Sequence, residues 1–348
     1  MPFWRILLTA LGAQIVLVGA GGPLIGLAGG LDHLGPMSGG WLDIVNSFAL
    51  IWLACCILGG LLVFISLEPR PARTFLLILA LVGALISGGQ IAADAAVGWR
   101  DGHASPAPGP VIKVLTFNAW DDSFSADRAI AAIRESDADI VALQETRAVR
   151  PLLGQLAKAY PYRTPCEVDC SVMVLSRHPP LEAGLTHLSG ASLGPIAYPG
   201  FGDVQVAHLT FRASDGQPVT LATTHLFWAV PPPPYRRQQD VLAKFIAGLP
   251  NQRLILSGDF NLAPWTFTMR RQDALLRPLH RVTRALPTWP AYLPVSNKVN
   301  WLPFLPLDHM YLGPGLQVAR VHRMSVYSSD HRPVLVSVRL RADAPRIR

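Results

Sequence analysis

The chain begins with three long apolar runs that carry no charged side chain, at residues 6–31, 44–67 and 74–93. Each run can cross a bilayer core of about 30 Å, because an α-helix rises about 1.5 Å per residue. The pattern predicts an all-α region of three transmembrane helices within residues 1–93. The first run could instead be a cleaved secretory signal, but it is longer than the apolar part of a typical signal, and two further runs follow it.

Beyond residue 93 the hydrophobic pattern changes. Residues 94–110 contain several Pro and Gly residues, which is typical of a short, stiff linker. In residues 111–340, apolar runs typical of strands alternate with amphipathic stretches, which predicts one α/β domain followed by a tail at 341–348. Predicted strands are 111–117, 140–143, 171–175, 204–211, 219–224, 254–257, 307–312 and 333–339, and predicted helices are 126–135, 147–159 and 235–247.

The basic residues around the apolar runs predict an orientation. Arg5 precedes the first run, Arg70 and Arg73 lie between the second and third, and the loop at 32–43 has neither Lys nor Arg. Basic loops stay in the cytoplasm, so the N-terminus is expected there. After three crossings, the large domain is expected outside the cytoplasm, in the periplasm if the source is bacterial.

Charge and cysteine content change the picture only in part. The net charge is +7, and acidic and basic residues balance in the first hundred positions, so the excess belongs to the large domain. A basic domain favours anionic partners such as phosphates, nucleic acid or acidic lipid, without choosing among them. Outside the cytoplasm, Cys166 and Cys170 can form a local disulfide, although their close spacing leaves the pairing open.

Polar side chains stand at the ends of several predicted strands, where they can converge on one pocket. Asp308 and His331 are candidates for a proton-transferring pair, since a carboxylate can fix the tautomer of an imidazole that works near neutral pH. An equally good interpretation is that the two residues simply cap a turn. Asp259 and Asn261 follow a buried strand, and in extended backbone their side chains point the same way, where they can orient water or bind a phosphoryl oxygen. The alternative is an Asx turn.

Three further residues supply the oxygen ligands that Mg²⁺ prefers. Asn118, Glu145 and Asp330 make a plausible incomplete shell, which leaves positions for water and a phosphate. Mn²⁺ is the alternative ion. His225 can donate a hydrogen bond to a phosphate oxygen as negative charge develops, although a structural histidine is the competing interpretation.

The order of these motifs resembles the endonuclease/exonuclease/phosphatase superfamily. The resemblance rests on seven motifs spread over about residues 111–340, namely Thr116-Phe117-Asn118, Gln144-Glu145-Thr146, Val174-Leu175-Ser176-Arg177-His178-Pro179, Thr224-His225-Leu226, Gly258-Asp259-Phe260-Asn261, Leu307-Asp308-His309 and Ser329-Asp330-His331. It implies a four-layer α/β sandwich, in which two packed mixed sheets are flanked by helices.

The resemblance also implies a role for each matched residue. Asn118 and Glu145 help to hold a divalent metal, with Asp330 nearby, and Asp121 or Asp122 could add a contact. Asp259 and Asn261 position the attacking water and the phosphate. The remaining matched residues are His225, which contacts a phosphate oxygen, Asp308, which orients His331, and His331, which acts as general base or phosphate contact.

The sequence therefore predicts a membrane-anchored, metal-dependent phosphoesterase that acts on nucleic acid or a phospholipid headgroup, with no obligate protein partner evident. The aromatic stretch Trp289–Leu293, with Trp301 and Phe304, could contact a bilayer surface, but packing in the core beside Asp308 is favoured. The alternative function is a catalytically silent membrane receptor or scaffold that retains the fold, which the loss of a site residue would have favoured.

Overall fold

The structure is a computed structural model that describes residues 3–31, 41–66, 68, 70–123, 125–166, 169–188, 204–230, 232–292 and 298–342. The chain divides into two compact units. One comprises Met1–Val97 and Leu262–Arg270, and the other comprises Gly98–Asn261 and Arg271–Arg348. Most of the loop at 32–43, residue 293 and most of the tail at 341–348 lie outside the described residues.

The first unit is built from helices. Helix α1 spans Phe3–Leu31, a 3₁₀ helix at Asp43–Phe48 leads into α2 at Ala49–Ser66, and α3 spans Pro71–His103. Three segments, Phe3–Gly30, Asp43–Ser66 and Pro71–His103, are long and apolar enough to cross a membrane. Close packing of α1 and α2 depends on small residues, since a Cβ on Gly59 would lie 2.8 Å from the Val16 nitrogen. The three predicted apolar helices are confirmed in length and composition.

A buried carboxylate ties residues 262–270 into this first unit. Asp43 is 1% exposed. Its Oδ1 accepts hydrogen bonds from Phe267 N at 2.9 Å and from Asn46 Nδ2 at 3.0 Å, and its Oδ2 accepts one from Thr268 N at 2.7 Å. These amides open helix α6, Phe267–Leu275, where backbone N–H groups have no partner within the helix. Asp43 therefore caps a helix that lies far away in sequence.

The predicted start of the linker is wrong. Helix α3 continues through residues 94–103, and only 104–110 connect it to the first strand. Two features explain the difference. Ala95 and Ala96 favour a helix, and the first proline after them is Pro106, so the two glycines in this stretch weaken the helix without ending it.

Two six-stranded mixed sheets form the second unit. The first sheet has the order β11-β12-β1-β2-β4-β3, and the second has the order β5-β6-β7-β8-β10-β9. Strands β1 and β2 pair in parallel, as do β7 and β8, and the other pairs are antiparallel. The strands are β1 Val111–Asn118, β2 Ile140–Gln144, β3 Tyr162–Arg163, β4 Val172–Ser176, β5 Pro180–Leu188, β6 Val204–Arg212, β7 Pro218–His225, β8 Leu254–Asp259, β9 His280–Arg281, β10 Asp308–Leu312, β11 Leu316–Arg323 and β12 Val334–Leu340.

Alternation along the strands creates two apolar layers. In β1, Val114 belongs to the core between the sheets, whereas Leu115 faces the opposite side. That opposite side packs against Ile130 and Ile133 of α4, Ala126–Ser136. Helix α5, Pro232–Ala247, also buries one side, including Tyr235. Two packed mixed sheets flanked by helices confirm the predicted four-layer α/β sandwich.

Several elements differ from the sequence prediction. The predicted helix at 147–159 is a 3₁₀ helix at Arg150–Leu156, because Pro151 and Gly154 disfavour a regular α-helix. Helix α5 begins at Pro232 rather than Tyr235, since prolines fit the first turn of a helix. Strands β3, β5, β9 and β11 and helix α6 were not predicted. Cys166 and Cys170 form a disulfide, with a Cα–Cα distance of 5.8 Å.

Strand β9 is held by an ion pair whose guanidinium is buried. The Arg281 guanidinium is 1% exposed in its side chain and binds Asp273 through two hydrogen bonds of 3.0 Å. The Tyr311 hydroxyl donates to the same carboxylate at 2.7 Å. Burial would raise the pKa of Asp273, but the charge of Arg281, the hydrogen bonds from Arg281 and Tyr311 and the charge of Arg284 together outweigh burial and lower this pKa. Asp273 therefore supplies two hydrogen bonds and a negative charge to the buried Arg281 guanidinium.

Asp273→Ala is expected to destabilise the second unit by about 3 kcal/mol, because it removes a carboxylate that makes two hydrogen bonds to a buried guanidinium. Thermal unfolding of the detergent-solubilised full chain would measure this loss. Asp240→Ala is the matched control, since its pair with Arg271 at 2.6 Å is more exposed, at 32% for Arg271 and 53% for Asp240, and should contribute less than about 1 kcal/mol. Equal melting temperatures for the two variants would contradict the prediction.

Candidate active site

The ends of β1 and β2 place the first two polar side chains. These strands run in parallel, with Asn118 paired to Gln144, so their carboxyl ends meet at one edge of the first sheet. Glu145 is the next residue along the chain. Asn118 Nδ2 donates to Glu145 Oε1 at 2.8 Å, and Asp121 N donates to Glu145 Oε2 at 3.1 Å. Both carboxylate oxygens of Glu145 are thereby oriented by neighbouring N–H groups.

The second sheet repeats this arrangement with β7 and β8. His225 ends β7 and is paired in register with Asp259 at the end of β8. Gly258 allows the two strands to approach closely, because a Cβ at that position would clash with the Thr224 carbonyl oxygen. His225 Nε2 lies 3.7 Å from Asp259 Oδ2 and 3.7 Å from Glu145 Oε1. The imidazole therefore stands between the two carboxylates.

Asn261 reaches the same place through a turn. The expectation of an extended Asp259–Asn261 segment is wrong, because Asn261 has a left-handed backbone (φ 49°), a conformation that asparagine tolerates better than most residues. Its N–H donates to Asp259 Oδ1 at 2.8 Å, as in an Asx turn. Its Nδ2 lies 3.1 Å from His225 Nε2 and donates to Leu226 O at 2.9 Å. Asn261 thus lies beside His225.

The predicted Asp308–His331 pair is present in the structure. His331 Nδ1 donates to Asp308 Oδ2 at 2.8 Å, which leaves Nε2 3.4 Å from Asp259 Oδ2. Ser329 fixes the backbone around the pair, since its Oγ donates to Asn118 O at 2.7 Å and accepts from His331 N at 3.0 Å. The imidazole is therefore held both through its ring and through its main chain.

Two hydrogen bonds join the strand ends of the two sheets. Asn118 Nδ2 donates to Asp259 Oδ2 at 3.0 Å, and Gln144 Nε2 donates to Thr223 Oγ1 at 2.7 Å. Asn118 and Gln144 belong to the first sheet, whereas Asp259 and Thr223 belong to the second. The cluster thus lies where the sheets meet.

Asp330 completes the cluster from the segment before β12. Its Oδ2 accepts a hydrogen bond from Trp289 Nε1 at 3.0 Å. Asp330 lines a cavity of about 90 Å³ together with Glu145, His225, Asp259, Asn261 and His331. Asn118 and Asp308 lie directly behind this wall, bonded to Glu145 and His331 respectively. All eight residues predicted for the site are therefore brought together.

Proximity of these groups shifts their proton affinities. Burial, reinforced by the Asp308 charge, raises the pKa of Asp259 to about 6. Burial would lower the pKa of His331, but the carboxylates of Asp308 and Asp259 outweigh it and raise this pKa well above its usual value. Burial would raise the pKa of Glu145, but the nearby His225 helps to bring it below its usual value. The site combines a carboxylate of raised pKa with an imidazole of raised pKa.

The donor set fits a hard divalent cation. Among the described residues, Asp330 Oδ1 is buried and has no hydrogen-bond partner. Glu145, His225 and Asp259 can each offer one ligand atom within 4.8 Å of the others. Carboxylate oxygens are the ligands that Mg²⁺ prefers. Asn118 Oδ1 accepts from Trp120 N at 3.0 Å, and its amide nitrogen faces Glu145, so Asn118 orients that carboxylate.

Sequence reasoning missed three parts of the site and suggested two residues, Asp121 and Asp122, that do not belong to it. Nothing in the sequence distinguishes Trp289, Ser329 or the Gln144–Thr223 contact from other polar or aromatic positions, because their roles depend on which strands become neighbours. The suggestion that Asp121 or Asp122 adds a metal contact finds no support in the geometry. Asp121 Oδ1 accepts from Arg147 N at 2.8 Å, and Asp122 pairs with Arg147 Nη2 at 2.7 Å, and neither carboxylate lines the cavity.

A sandwich of two mixed sheets with an acidic and histidine-rich cluster at their common edge defines the class of fold. The chain belongs to the Endonuclease/Exonuclease/phosphatase family, whose sequence profile matches residues 115–331. Members of this family are generally phosphoester hydrolases and generally require a divalent metal. No curated protein matches the sequence.

Solved structures share the fold at low sequence identity. An endonuclease/exonuclease/phosphatase from Beutenbergia cavernae has a TM-score of 0.52 and 18% identity, over 68% of this chain and 73% of that one. D. rerio TDP2 in complex with a single-stranded DNA product has a TM-score of 0.52 and 19% identity, over 66% and 98%. A functionally unknown protein from Enterococcus faecalis has a TM-score of 0.51 and 17% identity, over 66% and 100%. These likenesses concern the fold alone.

Ser329→Ala is expected to lower the free energy of unfolding by about 2 kcal/mol, because it leaves the buried Asn118 carbonyl and the His331 N–H without their partner. Thermal unfolding of the full chain would measure the loss. Ser325→Ala, at an exposed position, is the control and should change stability by less than about 0.5 kcal/mol. A Ser329→Ala protein as stable as this control would show that the bridge contributes nothing.

Proposed function

We propose that the chain is a membrane-anchored, divalent-metal-dependent phosphoesterase that hydrolyses a phosphodiester or phosphomonoester. The observation that carries the proposal is the convergence of Glu145, His225, Asp259 and His331 on one cavity. Each of these side chains can bind an ion, orient water or contact a phosphoryl oxygen. Their contacts with one another preorganise them before substrate arrives.

Glu145 and Asp330 would hold the ion, with Asn118 orienting Glu145. When bound, a divalent ion neutralises charge on the phosphate and stabilises the charge that develops during displacement. Buried Asp330 Oδ1 supports this assignment, since a carboxylate oxygen without a donor is otherwise costly. Mg²⁺ is the ion that an oxygen-rich set favours, and Mn²⁺ is the alternative.

The remaining residues handle the water and the phosphate. Asp259 orients the attacking water and accepts its proton as the new P–O bond forms and the bond to the ester oxygen breaks on the opposite side. His331, with Nδ1 held by Asp308, directs its Nε2 toward Asp259 and donates to a phosphoryl oxygen. His225, which lies 3.7 Å from Asp259 Oδ2, contacts the phosphate together with Asn261.

The membrane topology is part of the proposal. The basic residues Arg5, Arg70 and Arg73 favour an N-terminus in the cytoplasm and a catalytic unit outside it. The Cys166–Cys170 disulfide supports that placement, because disulfides persist mainly in oxidising compartments.

Replacing either central residue should abolish turnover. Asp259→Asn and His331→Asn are each expected to lower kcat on bis-p-nitrophenyl phosphate roughly a thousandfold, because each removes a group that acts on the water or the phosphate. Asp122→Asn is the control, as its carboxylate is 76% exposed and pairs with Arg147. Wild-type rates in Asp259→Asn and His331→Asn would contradict these catalytic roles. The silent receptor or scaffold would be favoured instead if the wild-type protein hydrolysed no ester in a panel of phosphoesters.

Removal of the metal should stop the reaction reversibly. EDTA is expected to reduce the rate to below about 1% of its initial value, and Mg²⁺ or Mn²⁺ should restore it. Glu145→Gln should weaken Mg²⁺ binding about tenfold or more in a calorimetric titration, since it removes a charged ligand. Full activity in EDTA, or unchanged Mg²⁺ affinity in the variant, would contradict the assignment.

A further inference from the structure

Exposed apolar side chains occur at the cavity and on the chain segment whose Trp289 forms part of its wall. We define the apolar rim as Trp228, Trp301 and Leu302, which are 60%, 80% and 81% exposed. Single exposed apolar residues are ordinary, but two adjacent residues of this size at such exposure present a sizeable apolar area to solvent. Trp228 itself lines the cavity. The exposure of these apolar side chains is therefore best explained by a role in the function of the site.

The segment that carries Trp301 and Leu302 is anchored to the active site. Residues 289–292 pair with 299–305 through the bridges Trp289–Leu305 and Tyr292–Val299. The base of this pairing is fixed to Asp330, whose side chain accepts a hydrogen bond from Trp289 Nε1 at 3.0 Å and whose carbonyl oxygen accepts one from Ala291 N at 2.6 Å. The exposed pair thus projects from a segment that also forms a cavity wall.

Aromatic contacts connect Trp228 to the segment that carries Trp301 and Leu302. The Trp228 and Trp289 rings meet edge to face with centroids 6.4 Å apart, and the Trp289 and Phe304 rings do so at 6.2 Å. Trp289 and Phe304 are half-buried, whereas Trp301 is exposed. The expectation that all these aromatics pack in the core beside Asp308 is therefore wrong for Trp301.

The side chains that line the cavity favour a lipid over a nucleic acid as substrate. None of the described residues that line it is lysine or arginine. Nucleic acids are bound largely through basic side chains that neutralise successive phosphates. A lipid presents a single phosphate beside a large apolar surface, which matches a small polar cavity with an apolar border.

We propose that the substrate is a phospholipid-like amphiphile, whose phosphoester enters the cavity while its apolar part lies against the rim. Tryptophan is enriched where a protein meets the interface of a bilayer, and leucine at its side adds apolar area. The same chain carries three helices apolar enough to cross a membrane, and β1 follows α3 after residues 104–110 alone. This proposal rests on the proposed phosphoesterase function.

The test compares a lipid with a soluble ester on the same protein. Full-length wild type and a Trp301→Ser/Leu302→Ser double variant would be assayed with Mg²⁺ on bis-p-nitrophenyl phosphate and on mixed micelles of phosphatidylglycerol, phosphatidylethanolamine, phosphatidylcholine or sphingomyelin. At least one lipid should be hydrolysed, and the variant should lose about tenfold or more in kcat/KM on that lipid while keeping its rate on the soluble ester. Leu181→Ser, on an exposed position of edge strand β5, should behave as wild type on both.

The outcomes separate the two proposals. No hydrolysis of any ester would overturn the proposed function itself. Hydrolysis of the soluble ester without any lipid, or equal lipid rates in wild type and the double variant, would overturn only the lipid assignment. Cleavage of a single-stranded oligonucleotide that falls in the double variant, with lipids untouched, would show that the rim stacks nucleobases instead.

Discussion

The burial of one carboxylate governs the architecture around it. Asp259 is 1% exposed, and its Oδ2 accepts a hydrogen bond from Asn118 and lies 3.4 Å from His331 Nε2. A charged group can be buried only where donors and positive charge surround it, and those partners come from strands of both sheets. The sheets must therefore meet at their strand ends, and Gly258 with the Asn261 turn gives the backbone the shape this requires. Left-handed backbone also occurs at Glu145 and Ser328, two further residues near the converging polar groups.

How much of this could be predicted depends on where each element lies. Central strands such as β1, β2 and β8 are buried on both faces, so they appear in the sequence as continuous apolar runs. The edge strand β5 and the strand β11 carry Pro, Gly, Gln or Arg and remain partly solvated, so their pattern is weak. The polar residues that end central strands were predictable for the same reason as the strands. Contacts such as Trp289 with Asp330 were not, because they depend on how distant segments fold against the sheets.

The membrane helices were predictable from sequence in their apolar parts, but not in where the last helix ends. Runs without charge identified three helices correctly, since hydrophobicity alone decides whether a segment can enter lipid. The end of α3 was missed because composition cannot tell a linker from a helix that continues beyond its apolar part. The sequence left the Cys166–Cys170 pairing undecided for a different reason. Two cysteines this close in sequence can pair only if the turn between them brings their Cα atoms near, here to 5.8 Å.

The cap on α6 bears on how the protein should be divided for biochemistry. Asp43 supplies the acceptors for the amides of Phe267 and Thr268, and that helix start follows closely after Asn261 in the chain. A soluble fragment cut before Gly98 would lack Asp43 and would leave those amides, and the stretch at 262–270, without the helices they belong with. Weak activity in such a fragment would then show that the stretch following Asn261 in the chain was damaged, and not that the catalytic unit is inactive.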